Sequence, residues 1–454
     1  MRRTLLCCLF LLTIVFEAQA QKEPLALTGT LVTPEGIIEH GTVLIQDGRV
    51  LAAGAAVQLP AGTRVVATRG VIAPGLIDLH NHLTWNVFPR WKPAQEFGNR
   101  YDWQQKPVYN VLMTAPHQAM VAAGLECEME RYAEVKAIAE GETSITGSPQ
   151  LACDQGLARN LDYDPELGGN LGRIVYSVFP LQMSEADLAA AKAALDGPPP
   201  GALLIHLAEG SPRDAAAARE FPMLKARGLL RPGVSLIHAG GIKPEGFAEM
   251  AKAGVGLVWS PRSNIELYGD TANVAAAHAT AVTIALAPDW SPTGSDGLLG
   301  ELNYASVWNQ TQAPLVFTEH DLVNMATSNA AGLVGLGSRI GSLAPGYAAD
   351  LIVVTEDRVG DAHSPSPAKD AYWILTHSTP RDLQLVVIGG DAVYGDPALL
   401  KQAAPGSSAE PLDVCGTPKA VLLQGEKFEQ TEKTLDRALR QLGRELAQLA
   451  TCGQ

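Results

Sequence analysis

The sequence predicts an α/β protein in which apolar strands alternate with helices and β-rich segments from both chain ends stand apart from that series. Three observations carry this expectation. Strand-like apolar runs recur at Val71 to Leu79, Ile174 to Phe179, Ala202 to Leu207, Val234 to Ile237, Val255 to Trp259 and Val282 to Ala287. Helical patterns lie between most of them, such as Glu185 to Leu195, Asp214 to Ala226 and Pro244 to Ala253. Several of the runs end on a histidine or an acid. Strands that are apolar on both faces belong to buried parallel sheets. A long series of this kind forms either a doubly wound sheet or a closed barrel, and length does not separate the two. Thr143 to Thr146 is a further strand candidate, and at least one middle strand leaves no readable pattern.

The ends are justified by turn chemistry. Thr42 to Ile45 and Val50 to Ala53 flank an Asp47-Gly48 pair, a strong hairpin signal. Strand patterns return at Asp350 to Thr355 and at Leu383 to Ile388, the latter followed by Gly389-Gly390. Neither end has enough strands to be stable alone, so the two are expected to form one unit. The last segment, Glu426 to Leu449, places Leu435, Leu439, Leu442, Leu446 and Leu449 at helical spacing and reads as an amphipathic helix.

A chain of 454 residues, 46% hydrophobic, suits one large domain and a small one. Its formal net charge is -14 and no Lys/Arg block occurs, which argues against nucleic acid or an anionic membrane as partner. Residues 1–20 read as a cleavable leader: Arg2 and Arg3, an apolar stretch from Leu5 to Phe16, and the small-x-small pattern Ala18-Gln19-Ala20. The expected product is a secreted or periplasmic protein starting near Gln21. No later run is long and apolar enough to span a membrane. Four cysteines then remain; if they pair, their spacing favours Cys127 with Cys153 and Cys415 with Cys452, and free buried thiols are the alternative.

The chemistry lies where the strands end. Val71 to Leu79 is followed by His80-Asn81-His82, and residues i and i+2 of a strand share a face, so both imidazoles can converge on one ion. Ala202 to Ile205 runs into His206, with Glu209 three residues on. Val234 to Ile237 ends in His238, and Val282 to Ala287 leads to Asp289. Four strands thus deliver metal-type or acid–base groups at their C-terminal ends, where (β/α)₈ TIM barrels carry their chemistry. Three imidazoles and a carboxylate suit Zn²⁺ or Fe²⁺. His117, His278 and His320 lack this context and read as structural, with Thr318 capping the helix that holds His320.

The stretch Pro74-Gly75-Leu76-Ile77-Asp78-Leu79-His80-Asn81-His82 resembles the opening motif of the amidohydrolase superfamily. Ile205-His206-Leu207-Ala208-Glu209-Gly210 and Ser260-Pro261-Arg262-Ser263-Asn264 resemble motifs of its aminohydrolase and chlorohydrolase branch, which includes guanine, adenosylhomocysteine and triazine hydrolases. Ile340 to Leu351 is similar to the superfamily's return into a small β-sandwich. The resemblance runs to about Asp396. It implies a barrel over 71–340 and a β-sandwich shared between 21–70 and 341–400; the leader over 1–20 and a C-terminal extension over 401–454 lie outside it. It also implies roles: His80, His82, His206 and Asp289 as metal ligands, His238 at the attacking water or the oxyanion, Glu209 as proton carrier, and Asp289 as base. The branch's usual Gly-Thr-Asp-Gly is replaced by Ala287-Pro288-Asp289-Trp290-Ser291, which bears on the substrate more than on the metal.

One divalent transition metal per chain is expected, zinc before iron. A two-metal site needs a bridging lysine from a strand, and the nearest candidates, Lys136 and Lys192, lie in helical patterns. The expected reaction is hydrolysis of a C–N bond in a small molecule, by deamination of a heterocycle or cleavage of a cyclic or exocyclic amide. The rivals are a metallo-dipeptidase-like enzyme and a non-catalytic metal-containing barrel. A homo-oligomer is left open. Trp85, Arg90, Trp91, Arg100, Tyr101 and Trp103 form an aromatic and cationic loop that suits a planar or anionic ring or simply packs down.

Overall fold

The computed structural model describes residues 22–147, 157–162, 174–177, 183–356, 369–425 and 427–451. The expected leader, Cys153 and Cys452 lie outside these residues. Cys127 and Cys415 each carry a disulfide.

The N-terminal strands are β1 (Leu25–Thr33), β2 (Gly36–Gln46), β3 (Arg49–Gly54) and β4 (Arg64–Pro74). Eight short strands follow: β5 (Leu76–Asp78), β6 (Glu142–Ile145), β7 (Arg159–Asn160), β8 (Ile174–Ser177), β9 (Ala202–Leu207), β10 (Val234–His238), β11 (Gly256–Trp259) and β12 (Ile284–Leu286). The chain closes with β13 (Leu351–Thr355), β14 (Leu383–Ile388), β15 (Asp391–Gly395), β16 (Glu410–Val414) and β17 (Thr417–Val421). The eight middle strands form two parallel runs, β5-β6-β7 and β8-β9-β10-β11-β12, with helices in most of the connections. A parallel bridge between Asn81 and Asp289 joins the end of the first to the end of the last. This is a TIM-barrel-like α/β arrangement.

The two ends meet in one nine-stranded sheet, ordered β16-β17-β15-β14-β13-β4-β1-β2-β3. Its seam is β4 against β13, where Ile72 faces Val353. Leu27, Val43, Val66, Val353 and Val387 from both ends share one apolar cluster, so neither end buries its strands without the other. Asp47 and Gly48 both take positive φ, 49° and 76°, the signature of a type I′ hairpin turn.

Three features depart from the sequence reading. The run Val71 to Leu79 is two strands: Val71 to Pro74 belongs to the nine-stranded sheet, and Leu76–Asp78 starts the parallel series. The break falls at Gly75, where a Cβ would lie 2.2 Å from the Thr143 hydroxyl of β6. Both halves are buried on both faces, so the apolar pattern runs through the break unaltered. The missing middle strand is β7, whose two residues are too few to show any period. The segment after residue 400 supplies the hairpin β16–β17 as well as a helix. That helix, Phe428–Gln441, stops short of Leu449 because Gly443 adopts φ 68° and Arg444 donates back to Leu439. Leu449 still packs beside Leu435 and Leu439. No helix among the described residues is long and apolar enough to cross a membrane.

Candidate active site

The polar groups converge because each sits where a parallel strand ends. His80 and His82 follow β5, and Asp78 shapes their turn by accepting the His80 amide at 2.8 Å and the Asn81 side chain at 2.6 Å. His206 lies within β9 and His238 closes β10. Ala208, His238 and Asp289 all adopt positive φ, at 53°, 69° and 70°. Such conformations in non-glycine residues cost of order 1–3 kcal/mol each and persist where the surroundings fix them. At Ala208 the fixing group is Glu220, whose carboxylate accepts the Ala208 amide at 2.7 Å.

The resulting cluster is tight. His80 Nε2 lies 3.0 Å from His206 Nε2 and 3.1 Å from Asp289 Oδ1, and His82 Nε2 lies 3.3 Å from the same oxygen. Ligand bonds of about 2.0–2.1 Å around a tetrahedral ion put neighbouring donors roughly 3.3 Å apart, so the residues present fit a divalent transition metal. His80, His82 and His206 form one three-donor set, and His80, His238 and Asp289 form another. Burial pushes His80 down to about 4 and His206 well below its ordinary value, which leaves both neutral and able to ligate at pH 7. Burial alone would raise Asp289, but His80, His82 and His238 outweigh it and hold the carboxyl well below the usual range.

A second layer sets the orientation of these groups. His80 Nδ1 meets Ser260 Oγ at 2.8 Å, and Ser263 donates to Asp289 Oδ2 at 2.6 Å. His238 Nδ1 donates to Asn264 Oδ1 at 2.8 Å, which leaves the lone pair of Nε2 facing the cluster. The Asn264 amide nitrogen donates to Thr271, consistent with that assignment. Glu209 stands beside the donors: its Oε2 is 3.6 Å from His238 Nε2, and its Oε1 accepts the Tyr268 hydroxyl at 2.6 Å. Over the cluster opens a cavity of about 230 Å³, walled by Trp85, Trp103, Tyr109 and Trp290, with Arg100, Glu209, His238 and Asp289 at its base.

The amidohydrolase family profile matches residues 212–393, which carry Asp289, His238 and the Ser260–Asn264 segment. Over 423 residues the chain is 26% identical to a 5-methylthioadenosine/S-adenosylhomocysteine deaminase of Symbiobacterium thermophilum, covering 82% of this chain and 94% of the relative. Over these stretches the chain is similar to the amidohydrolase family. Its resemblance to the aminohydrolase branch is upheld by that relative. Solved structures share the fold: an adenosine deaminase from Xanthomonas campestris with bound zinc is 16% identical at a TM-score of 0.67, covering 92% of this chain and 98% of that one. Guanine deaminase of E. coli is 19% identical at a TM-score of 0.63, covering 82% and 99%.

Against this family background, the structure brings all six sequence-derived site residues, His80, His82, His206, Glu209, His238 and Asp289, into one cluster. His117 stays outside it and stacks behind the pocket wall on Trp85, with centroids 3.9 Å apart. His278 packs on Phe317 and His320 on Tyr372. Lys136 is buried in the helix Glu126–Ala139 and pairs with Asp296 at 2.7 Å; Lys192 lies in the helix Glu185–Asp196. Of the aromatic and cationic loop, Trp85, Arg100 and Trp103 line the cavity. Arg90 pairs instead with Glu266, and Tyr101 donates to Glu220. Sequence reasoning missed the roles of Ser260, Ser263, Asn264 and Tyr268. The first three lie inside a motif that was visible; Tyr268 lies just past it, with no signal of its own.

Proposed function

We propose that this protein hydrolyses the exocyclic C–N bond of a compact, planar, neutral aminoheterocycle, releasing ammonia. The observation that carries this reading is Glu209, a buried carboxylate beside the metal-donor cluster but outside both donor sets among the described residues. A binding barrel has no use for a proton carrier in that place. The named activities of the relatives, deamination of adenosine-type and guanine bases, support the same class. His80, His82, His206 and Asp289 would hold the ion, which supplies acidified water and a counter-charge to the oxyanion.

The chain's own groups do the rest. Trp85, Trp103, Tyr109 and Trp290 offer faces for a flat ring, and 230 Å³ is smaller than the usual range of about 300–1,000 Å³ for drug-sized ligands. Arg100 is opposed by Glu209 and Glu220, which supports a neutral ring over an anionic one. Asp289 takes a proton from the attacking water, and His238 Nε2 holds that water by accepting a hydrogen bond from it. Glu209 carries the proton given up by the water on to the leaving nitrogen, while the water's other hydrogen stays on the hydroxylated product; without that transfer the tetrahedral species at the attacked carbon cannot expel ammonia. We also infer that the two parallel runs close into one eight-stranded barrel that starts at Leu76, that the end segments form its β-sandwich, and that the chain is exported after leader cleavage.

Glu209→Gln keeps the shape and removes the transferable proton. Turnover should fall by about 10²–10⁴-fold with metal content unchanged. Ammonia release from 5-methylthioadenosine, adenosine and guanine, alongside metal analysis, checks this. A variant at parental rate removes Glu209 from the reaction, and one that loses its metal makes Glu209 a ligand.

A further inference from the structure

We propose that Arg100 and Tyr268 are positioning residues that clamp Glu209 and tie its placement to the aromatic wall of the pocket. The proposal rests on the reading of Glu209 as the proton carrier. Each oxygen of that carboxylate has a partner of its own. Tyr268 donates its hydroxyl to Oε1 at 2.6 Å, and Arg100 Nη1 lies 3.4 Å from Oε2. The Tyr268 oxygen in turn accepts the indole N–H of Trp103 at 2.8 Å. Indole nitrogen only donates, so the single phenolic hydrogen is left for Glu209. The relay therefore runs one way, from a residue of the pocket wall to the carboxylate.

The main chain repeats the link. Asn99 forms an antiparallel bridge with Gly210, Arg100 N–H donates to the Glu209 carbonyl at 3.3 Å, and Ser211 N–H donates to Gly98 O at 2.8 Å. Gly210 is required for so close an approach, since a Cβ there would lie 2.6 Å from Gly98 O. Arg100 Nη2 also reaches to 3.6 Å from Glu220, the group that holds the Ala208 amide. The short helix Arg100–Gln104 and the residues leading into it thus carry Trp103 into the cavity wall, Arg100 onto the carboxylate, and a backbone splint along the turn that bears it. Arg100 is 1% exposed, so this pair is held away from bulk water.

A role acting through Glu209 differs from a merely structural one in a measurable way. Tyr268→Phe, Arg100→Gln and Arg100→Lys are made in the parent and in the Glu209→Gln background. Ammonia release is followed on whichever of 5-methylthioadenosine, adenosine and guanine the parent deaminates, with metal content recorded. In the parent, Tyr268→Phe and Arg100→Gln should each lower kcat about tenfold or more with KM held within about threefold, the range for a hydrogen bond to a charged group. Arg100→Lys should fall between Arg100→Gln and the parent. In the Glu209→Gln background the same changes should move the residual rate by less than about twofold, because the group they act through is already gone. Equal losses in both backgrounds, losses confined to KM, or rates equal to the parent's would each overturn the clamp. If Arg100→Gln does not fold, Tyr268→Phe decides alone. A Glu209→Gln enzyme at parental rate overturns the proton-carrier reading first, and that result is separate from the other three.

Discussion

Asp289 shows how many constraints meet in one side chain. Its backbone is left-handed, its Oδ1 faces His80 and His82, and its Oδ2 is held by Ser263. The arrangement aims a charged oxygen at the imidazoles. The parent should retain about one tightly bound transition metal per chain, as expected for a single set of nitrogen and oxygen donors. Asp289→Asn keeps the shape and the Ser263 contact but removes the charge, so both metal retention after dialysis and turnover should drop. Full metal occupancy in that variant would remove Asp289 from the ligand set. His80, His82, His206, His238 and Asp289 were legible in the sequence because each follows an apolar strand and stands out as polar. Arg100 was legible only as a cation in an aromatic loop. Its commitment to Glu209 depends on a long-range contact that no local pattern records.

Between strands and helices, the buried acids behave differently from those of the site. Glu142 at the start of β6 accepts the Leu298 amide at 2.8 Å and Glu140, at the end of the preceding helix, accepts the Gly300 amide at 3.0 Å, so two carboxyl groups satisfy free N–H groups opening the helix Leu298–Gln310. Burial, reinforced by Asp296, pushes Glu140 up to about 8, and burial pushes Glu301 up to about 7. In the unfolded chain Glu140 releases its proton near 4.5, whereas the folded protein keeps it to about 8. The folded state therefore binds the extra proton between those values. Glu140's contribution is full below about 4.5 and is lost as pH rises through about 8. Glu140→Gln removes this dependence, so the variant should gain on the parent in melting temperature as pH goes from about 5.5 to about 8.5. A difference that stays constant across that range would contradict the assignment. Elements such as Ala202–Leu207 and Pro244–Ala253 were legible because their period or capping is complete within the segment. The divided run at Gly75 and the two-residue β7 were not, because sheet membership and very short strands leave no period to read.

At the scale of the whole molecule, a parallel series whose strand ends carry the polar cluster is joined to a sheet shared by both termini. The hairpin turns of that sheet were visible as Asp47-Gly48 and Gly389-Gly390, and its shared character followed from too few strands at either end. The contribution of β16 and β17 was not visible, since Glu410–Val421 alternates only weakly. The seam between β4 and β13 has a consequence for the order of synthesis. Translation delivers β4 long before the strand that completes it, so the growing chain carries an open, apolar sheet edge throughout the making of the barrel. Unpaired edges of this kind recruit other strands, and pairings far apart in sequence close slowly. A chain ending after Asp350 should accordingly accumulate as insoluble aggregate, and size-exclusion chromatography of the lysate checks this; a soluble, monodisperse product would show that β4 is protected in some other way. If the edge is the hazard, the final hundred residues act as the molecule's own late-arriving chaperone, and premature termination is more dangerous to this protein than most substitutions within it.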